Sequence, residues 1–209
     1  MVELSVPANF FIHFLDLFGT LAFAVTGAFK AIENKSDIVG VLLLATITGV
    51  TGGIMRDVVM GQFPNSIYDP AYVVVTIVSG TVIFFLYSHL KQHWNLFLKF
   101  DAVGLGVFTI IGATLAYDLV GLNFLAIAFA GMLTAVGGGI LRDVFVNQIP
   151  IVFIKELYVS ASFAGIVIFF LILYFTNELY SATILGIALT IALRLIGIKY
   201  NWNLPRAKD

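Results

Sequence analysis

The stretch Gly49-Val-Thr-Gly-Gly-Ile-Met-Arg-Asp57 decides how this chain folds, because it returns almost unchanged as Ala135-Val-Gly-Gly-Gly-Ile-Leu-Arg-Asp143. The first copy leads to Gln62-Phe-Pro64 and the second to Gln148-Ile-Pro150. Each glycine costs a helix about 1 kcal/mol, so a repeated pair favours a break or a close backbone approach. An Arg-Asp pair beside hydrocarbon is costly unless it is paired or hydrated. We therefore expect both copies to lie at the functional centre.

The composition indicates an integral membrane protein. Of the 209 residues, 60% are hydrophobic and 11% are charged, whereas a soluble domain carries about 25% charged residues. The charged residues lie mostly between apolar runs, as in a helical bundle rather than in a barrel of alternating strands. A formal net charge of −1 gives no reason to expect a nucleic-acid partner, and the lack of cysteine excludes disulfides and thiolate metal sites.

Seven apolar segments are each near the roughly 17–25 residues that span a bilayer. They cover residues 10–29, 38–60, 71–87, 100–120, 124–146, 157–175 and 180–198. The sequence therefore predicts an all-α membrane protein that forms a single domain over residues 1–209. The glycine pairs fall inside the second and fifth segments, and we expect those two helices to be broken there.

Other features repeat in the same order as the glycine pairs. Asp16-Leu-Phe-Gly19 is echoed by Asp101-Ala-Val-Gly104, and Tyr72 and Tyr158 occupy matching places. Residues of about 10–90 and 98–176 are therefore predicted to be two copies of a three-helix unit. Each copy crosses the membrane an odd number of times, so the two are oppositely oriented. Such inverted repeats place a permeation site near the midplane. The seventh helix, about 180–198, has no counterpart, and we expect it to be peripheral.

The basic residues predict the orientation in the membrane. With seven spans, one face receives nearly all of them: Lys30, Lys35, Lys91, Lys99, Lys155, Lys199, Arg206 and Lys208. Because cytoplasmic loops carry the excess of Lys and Arg, we expect the N-terminus outside and the C-terminus in the cytoplasm.

The glycines allow two interpretations. Gly52, Gly53, Gly138 and Gly139 could kink their helices and expose backbone carbonyls to a water-filled path, where they replace part of a cation's hydration shell. Alternatively they could allow close helix packing through small residues, which is common in membranes. Their duplication beside charged residues favours the first interpretation.

The charged residues also have alternatives. Neighbours on a helix project about 100° apart, so Arg56 and Arg142 could pair across the repeat instead of with Asp57 and Asp143. Such ion pairs could gate a path or hold two helices together. The simpler alternative is that these residues end their helices at the membrane interface, with the Arg side chains snorkelling.

Two aspartates and several threonines could line the ends of a path. Asp16 and Asp101 could concentrate cations at its two mouths, or could simply complement a helix dipole. For threonines such as Thr20 and Thr26 we expect hydrogen bonds to their own helix backbone. His89 and His93 lie four residues apart without a third ligand nearby, so neither a metal site nor a cofactor is expected. The usual hydrolase and nucleotide-binding motifs are absent from the sequence, which argues against an enzyme.

On these motifs the chain resembles the prokaryotic branch of the trimeric intracellular cation channels, and also the bacterial membrane family of glycine-transporter domains. The resemblance covers nearly the whole chain and includes Gly-Gly-x-x-Arg-Asp in both halves. It implies a homotrimer in the plasma (inner) membrane, with one pore for K⁺ and Na⁺ in each protomer. The pore would be shaped by kinks at Gly52, Gly53, Gly138 and Gly139. The charged positions of the family match Arg56, Asp57, Arg142 and Asp143.

The chain departs from the animal channels of that family, whose second helix carries a Lys-Glu-Gly motif for phosphoinositide. Here the stretch is Gly-Gly-Ile-Met-Arg-Asp, without lysine. Phosphoinositide regulation is therefore not expected, although basic loops could meet anionic membrane lipid. The main rival function is transport of glycine or another small zwitterion, because broken helices suit a carboxylate and an ammonium as well as an ion. A scaffold without transport is a third alternative.

Overall fold

The computed structural model describes residues 6–90, 94–154 and 157–202, with the side chains described over 10–90, 96–154 and 157–202. In those ranges the chain forms nine helices. They are α1 (Val6–Glu33), α2 (Ile38–Val59), α3 (Asn65–Tyr68), α4 (Pro70–Leu90), α5 (Trp94–Val120), α6 (Phe124–Phe145), α7 (Ile151–Ile154), α8 (Val159–Thr176) and α9 (Leu179–Tyr200). Five side chains discussed above lie outside the described residues: Lys91, His93, Lys155, Arg206 and Lys208.

Seven of the described helices are long and apolar enough to cross a membrane: α1, α2, α4, α5, α6, α8 and α9. They match the seven predicted segments to within a few residues, so the all-α membrane class is confirmed. The one-turn helices α3 and α7 were not predicted. They follow Pro64 and Pro150, where the chain turns back after α2 and after α6.

The ends of α2 and α6 explain why both repeats turn at the same place. Gly61 and Asn147, at equivalent positions, adopt the left-handed conformation with φ of 68° and 55°. The N–H of the following glutamine then bonds back to the carbonyl of the motif aspartate, at 2.8 Å for Gln62 and 2.9 Å for Gln148. This is a common way to end a helix, and glycine and asparagine tolerate it best.

The expected break at the glycines is wrong. Both α2 and α6 stay helical through their glycines. The glycines instead allow the two helices to touch, because a Cβ atom on Gly52 would collide with the carbonyl oxygen of Thr134. A Cβ atom on Gly138 would likewise collide with the carbonyl oxygen of Thr48. Close packing through small residues, the alternative interpretation, is what these two positions do.

The contacts between the halves are reciprocal. A Cβ atom on Gly19 would collide with the Phe108 ring, and one on Gly104 would collide with the Phe23 ring. The two rings themselves meet edge to face, with centroids 5.1 Å apart. Reciprocal contacts are what a two-fold relation between two similar units produces. In this chain they join α1 to α5, as the glycine contacts join α2 to α6.

The seventh helix, α9, lies against the second repeat on one side and leaves Ile184, Leu185 and Ile196 exposed on the other, as expected of a peripheral helix. Helix α9 packs on α5 and α8 and buries Gly186, Thr190 and Arg194. Gly186 lies against the side chain of Ile110 on α5, and Gly165 on α8 lies against Thr190. Small residues on both sides let the backbones of α8 and α9 approach closely. The helix thereby places a buried arginine beside the second repeat.

Candidate functional site

The first ion-pair cluster consists of Asp16, Arg56, Asp57 and Tyr72. Arg56 Nε donates to Asp57 Oδ1 at 2.7 Å, and its Nη2 lies 3.9 Å from Asp16 Oδ2. The hydroxyl of Tyr72 donates to the same Asp16 oxygen at 2.8 Å. All four residues are buried, at 6% exposure or less. The cluster thus ties α2 to α1 and α4 within the first repeat.

The second ion-pair cluster has the equivalent members Asp101, Arg142, Asp143 and Tyr158. Arg142 donates through Nε to Asp143 Oδ1 at 2.8 Å and through Nη1 to Asp101 Oδ1 at 3.0 Å. The Tyr158 hydroxyl donates to Asp101 Oδ1 at 3.3 Å. Its members are at most 2% exposed. This cluster ties α6 to α5 and to the residue that precedes α8.

These contacts correct two expectations. Neither arginine pairs with an aspartate of the other repeat. Each guanidinium bonds the aspartate next to it in sequence and also reaches an aspartate on the first helix of its own repeat. Asp16 and Asp101 do not stand at open mouths. They are 5% and 0% exposed and serve as the second acceptor of each arginine. Burial without these partners would be costly for a carboxylate, and the pairing offsets that cost.

The motif aspartates also hold the turn that follows each long helix. Asp57 Oδ2 accepts from the backbone N–H of Asn65 at 3.1 Å, and Asp143 Oδ2 accepts from that of Ile151 at 2.9 Å. Each donor N–H belongs to the first residue of a one-turn helix, directly after the motif proline. The spacing from Arg-Asp to Pro is therefore explained, because one carboxylate joins the buried arginine to the returning chain.

The two clusters differ at the third nitrogen of the guanidinium. Arg142 Nη1 also donates to Thr26 Oγ1 at 2.8 Å, and the Thr26 hydroxyl donates to the Phe23 carbonyl at 2.8 Å. Within the described part of the chain, Arg56 Nη1 has no hydrogen-bond partner. The residue equivalent to Thr26 is the buried Ile111, which offers no acceptor. The first cluster is therefore held less completely than the second.

Two further buried cations lie beside the second cluster. The Arg194 guanidinium of α9 stacks on the Tyr158 ring, 4.7 Å from its centroid. Lys30 of α1 donates through Nζ to Gln148 Oε1 at 2.6 Å. Its ammonium and the Arg142 guanidinium lie 5.5 Å and 5.0 Å from the centroid of the Phe97 ring. The second cluster is thus embedded in positive charge.

Cavities adjoin the first cluster. One of about 10 Å³ is lined by Asp16, Arg56 and Tyr72, and that is room for roughly one water. A second, of about 160 Å³, shares Asp57 and Asn65 with it. The buried ion pairs of the first cluster thus border one cavity of the size of a water and one that is much larger.

Some of these site residues were missed at the level of sequence. Tyr72 and Tyr158 were recognised as matching positions, yet their role as donors to Asp16 and Asp101 was not predicted. Thr26 was expected to bond only its own backbone, which it does while also accepting from Arg142. The matching positions of the two tyrosines in the repeats are the sequence signal that could have placed them in the site. No signal marked Thr26, whose counterpart is not polar.

Comparison with known proteins agrees with this architecture. The family model described as glycine transporter matches twice, over residues 13–88 and 98–174. The UPF0126 inner membrane protein YadS of Escherichia coli K12 is 33% identical over 198 residues, covering 93% of this chain and 95% of YadS.

Two solved structures share the fold closely. A prokaryotic TRIC channel in 0.5 M KCl superposes with a TM-score of 0.87 at 31% identity, covering 94% of this chain and all (100%) of that one. The TRIC trimeric intracellular cation channel orthologue from Rhodobacter sphaeroides gives 0.86 at 33% identity, covering 91% and 98%. The chain therefore belongs to the glycine-transporter family of UPF0126 membrane proteins and has the fold of the prokaryotic TRIC channels.

Proposed function

We propose that this protein is a passive channel for the monovalent cations K⁺ and Na⁺. The observation that carries the proposal is the pair of equivalent ion-pair clusters on α2 and α6, the two helices that touch through Gly52 and Gly138. The solved relative at 31% identity is named as a TRIC channel and the one at 33% as a cation channel orthologue, which supports the same activity here. The Rhodobacter sphaeroides relative is named as trimeric, and we infer that this chain also works as a homotrimer, with one pore in each protomer.

The path would run between the two repeats, lined by α1, α2, α5 and α6. Three-span units related by a two-fold axis lie in opposite orientations, so the first cluster would face one side of the membrane and the second cluster the other. The N-terminus would lie outside and the C-terminus in the cytoplasm of a bacterial inner membrane. Gly53 and Gly139 face the clusters, because a Cβ atom there would lie 3.6 Å and 3.8 Å from Nη2 of Arg56 and Arg142.

Each arginine would act as a gate residue. The guanidinium holds two carboxylates that would otherwise offer oxygen ligands to a passing cation, so the closed state is stabilised by the same groups that favour cations when the pairs separate. Asp16 and Asp101 would be exposed to the path only on opening. Opening would require α2 to move away from α1 and α6 to move away from α5, which would separate Arg56 from Asp16 and Arg142 from Asp101.

Potassium flux into proteoliposomes tests this function. Vesicles that are loaded with K⁺ and contain the purified wild-type protein should take up external ⁸⁶Rb⁺ as K⁺ leaves down its gradient. The rate of uptake should not saturate at millimolar Rb⁺. Arg56→Ala and Arg142→Ala should change the rate of uptake, because either change releases a closed-state ion pair. Uptake equal to that of protein-free vesicles would refute the proposal.

Transport of glycine is the second candidate, and the description of the matching family model favours it. A zwitterion could use a released arginine for its carboxylate and a released aspartate for its ammonium. This function predicts saturable and electrically silent glycine uptake by the same vesicles. Electrogenic Rb⁺ uptake that glycine does not affect would exclude it.

A further inference from the structure

The two repeats differ most where Lys30 stands. Its ammonium lies inside the second half of the protein, bonded to Gln148 at 2.6 Å beside the second cluster. The equivalent of Gln148 in the first half is Gln62, but the equivalent of Lys30 is Leu115, which has no charge. Both Gln62 and Leu115 line the cavity of about 160 Å³. That cavity therefore lies at the place that corresponds to the Lys30 ammonium.

Four residues in the wall of this cavity could bind a cation, and the other four are apolar: Met60, Phe63, Leu115 and Leu119. Oxygen atoms are available from Asp57, Gln62, Asn65 and Asp118. Asp118 Oδ1 is itself buried and has no hydrogen-bond partner among the described residues. Carboxylate and amide oxygens are the ligands that hard monovalent cations and ammonium groups prefer.

The net charge around the cavity also favours a cation. The first cluster carries one more carboxylate than guanidinium, and Asp118 adds a second negative charge nearby. Around the second cluster the equivalent excess is balanced by the buried cations Lys30 and Arg194. Because an unbalanced buried charge is costly, the first half gains more from a mobile cation than the second half does.

We propose that this cavity, lined by Asp57, Gln62, Asn65, Leu115 and Asp118, binds a monovalent cation of ammonium size such as K⁺ or NH₄⁺. The Lys30 ammonium is the tethered equivalent of that ion in the other repeat. A volume of about 160 Å³ is on the order of ten times the roughly 10–15 Å³ that one water needs, so the ion keeps part of its hydration shell. Its role as the entry site for permeant ions rests on the proposed channel function.

Thermal unfolding of the purified protein in detergent tests the site without relying on conduction. The midpoint is measured in KCl, NH₄Cl and choline chloride at one ionic strength, for the wild type, Leu115→Lys, Leu115→Met and Asp118→Asn. A ligand that binds only the folded state raises the midpoint with its concentration. The wild type should therefore unfold a few degrees higher in K⁺ or NH₄⁺ than in choline.

The variants identify the place of binding. Leu115→Lys supplies its own ammonium and should abolish the dependence on K⁺, while Leu115→Met, of similar length and without charge, should retain it. Asp118→Asn should reduce the difference in unfolding midpoint between K⁺ and choline at least severalfold. This variant tests the site even if Leu115→Lys does not fold. The proposal is overturned if the wild type shows no difference between K⁺ and choline, or if Leu115→Lys or Asp118→Asn keeps the full difference. Cation-dependent unfolding in a protein that conducts nothing would refute the channel and leave the site.

Discussion

The hydrogen bond from Arg142 to Thr26 gives the sharpest prediction about gating. It crosses from α6 of the second repeat to α1 of the first and is 2.8 Å long between fully buried groups. The change Thr26→Val removes the acceptor oxygen and keeps the shape of the side chain. It also removes the local bond from the Thr26 hydroxyl to the Phe23 carbonyl, which already takes part in the helix.

The size of the effect follows from the partners that remain. A hydrogen bond to a charged group contributes about 1.5–3 kcal/mol. Arg142 Nη1 keeps its bond to Asp101 at 3.0 Å, so we expect the lower end, about 1.5 kcal/mol. If the contact exists only in the closed state, the closed-to-open ratio falls roughly tenfold, since 1.4 kcal/mol is a factor of ten.

Open probability in planar bilayers measures this ratio directly. Thr114→Val is the matched control, because Thr114 is fully buried on α5 and its hydroxyl has no hydrogen-bond partner within the described residues. We expect the control to behave as the wild type and Thr26→Val to open about tenfold more often. Equal open probability in Thr26→Val, Thr114→Val and the wild type would refute the reasoning that this bond holds the closed state.

Three further predictions concern packing and the second cluster. Gly52→Ala should lower the unfolding midpoint by several degrees because its Cβ meets the Thr134 carbonyl, whereas Gly53→Ala, with only Arg56 Nη2 at 3.6 Å, should be neutral or stabilising. Tyr158→Phe should cost about 1 kcal/mol of stability through the lost bond to Asp101, measured by chemical denaturation against Tyr174→Phe as an exposed control. Arg194→Met should lower the midpoint more than Arg194→Lys, which keeps a cation over the Tyr158 ring; equal losses would exclude a role for the charge.

The spans could be predicted because length and apolarity are local properties. All seven agree with the structure, including the ends near Asp37 and Asn123, whose side chains cap α2 and α6. The one-turn helices after Pro64 and Pro150 could not be predicted. They depend on hydrogen bonds to Asp57 and Asp143 that bring together residues eight positions apart.

The role of the glycines could not be predicted from either copy alone. The local cost of Gly52 and Gly53 is the same whether the helix breaks or meets a neighbour. Only the register between α2 and α6 decides that Gly52 faces the Thr134 carbonyl while Gly53 faces Arg56. Register between two distant helices is a property of the folded protein, and the repeat pattern indicates that the positions matter without saying why.

The site was predicted in its members more than in its geometry. The motif marks Arg56, Asp57 and their counterparts, and the repeat marks Asp16 and Asp101. Their partners depend on how far a guanidinium reaches in the folded protein. The differences between the halves, such as Thr26 against Ile111, interrupt the repeat and are therefore invisible to an argument that depends on repetition.

The central claim, that this protein conducts monovalent cations passively, is tested most directly by a reversal potential. Purified protein is placed in a planar bilayer under a K⁺ gradient with an impermeant anion on both sides. A passive cation channel should give discrete unitary currents that reverse near the K⁺ equilibrium potential, and Thr26→Val should make them more frequent. A silent bilayer, with folded trimers present and glycine uptake active in vesicles, would contradict it.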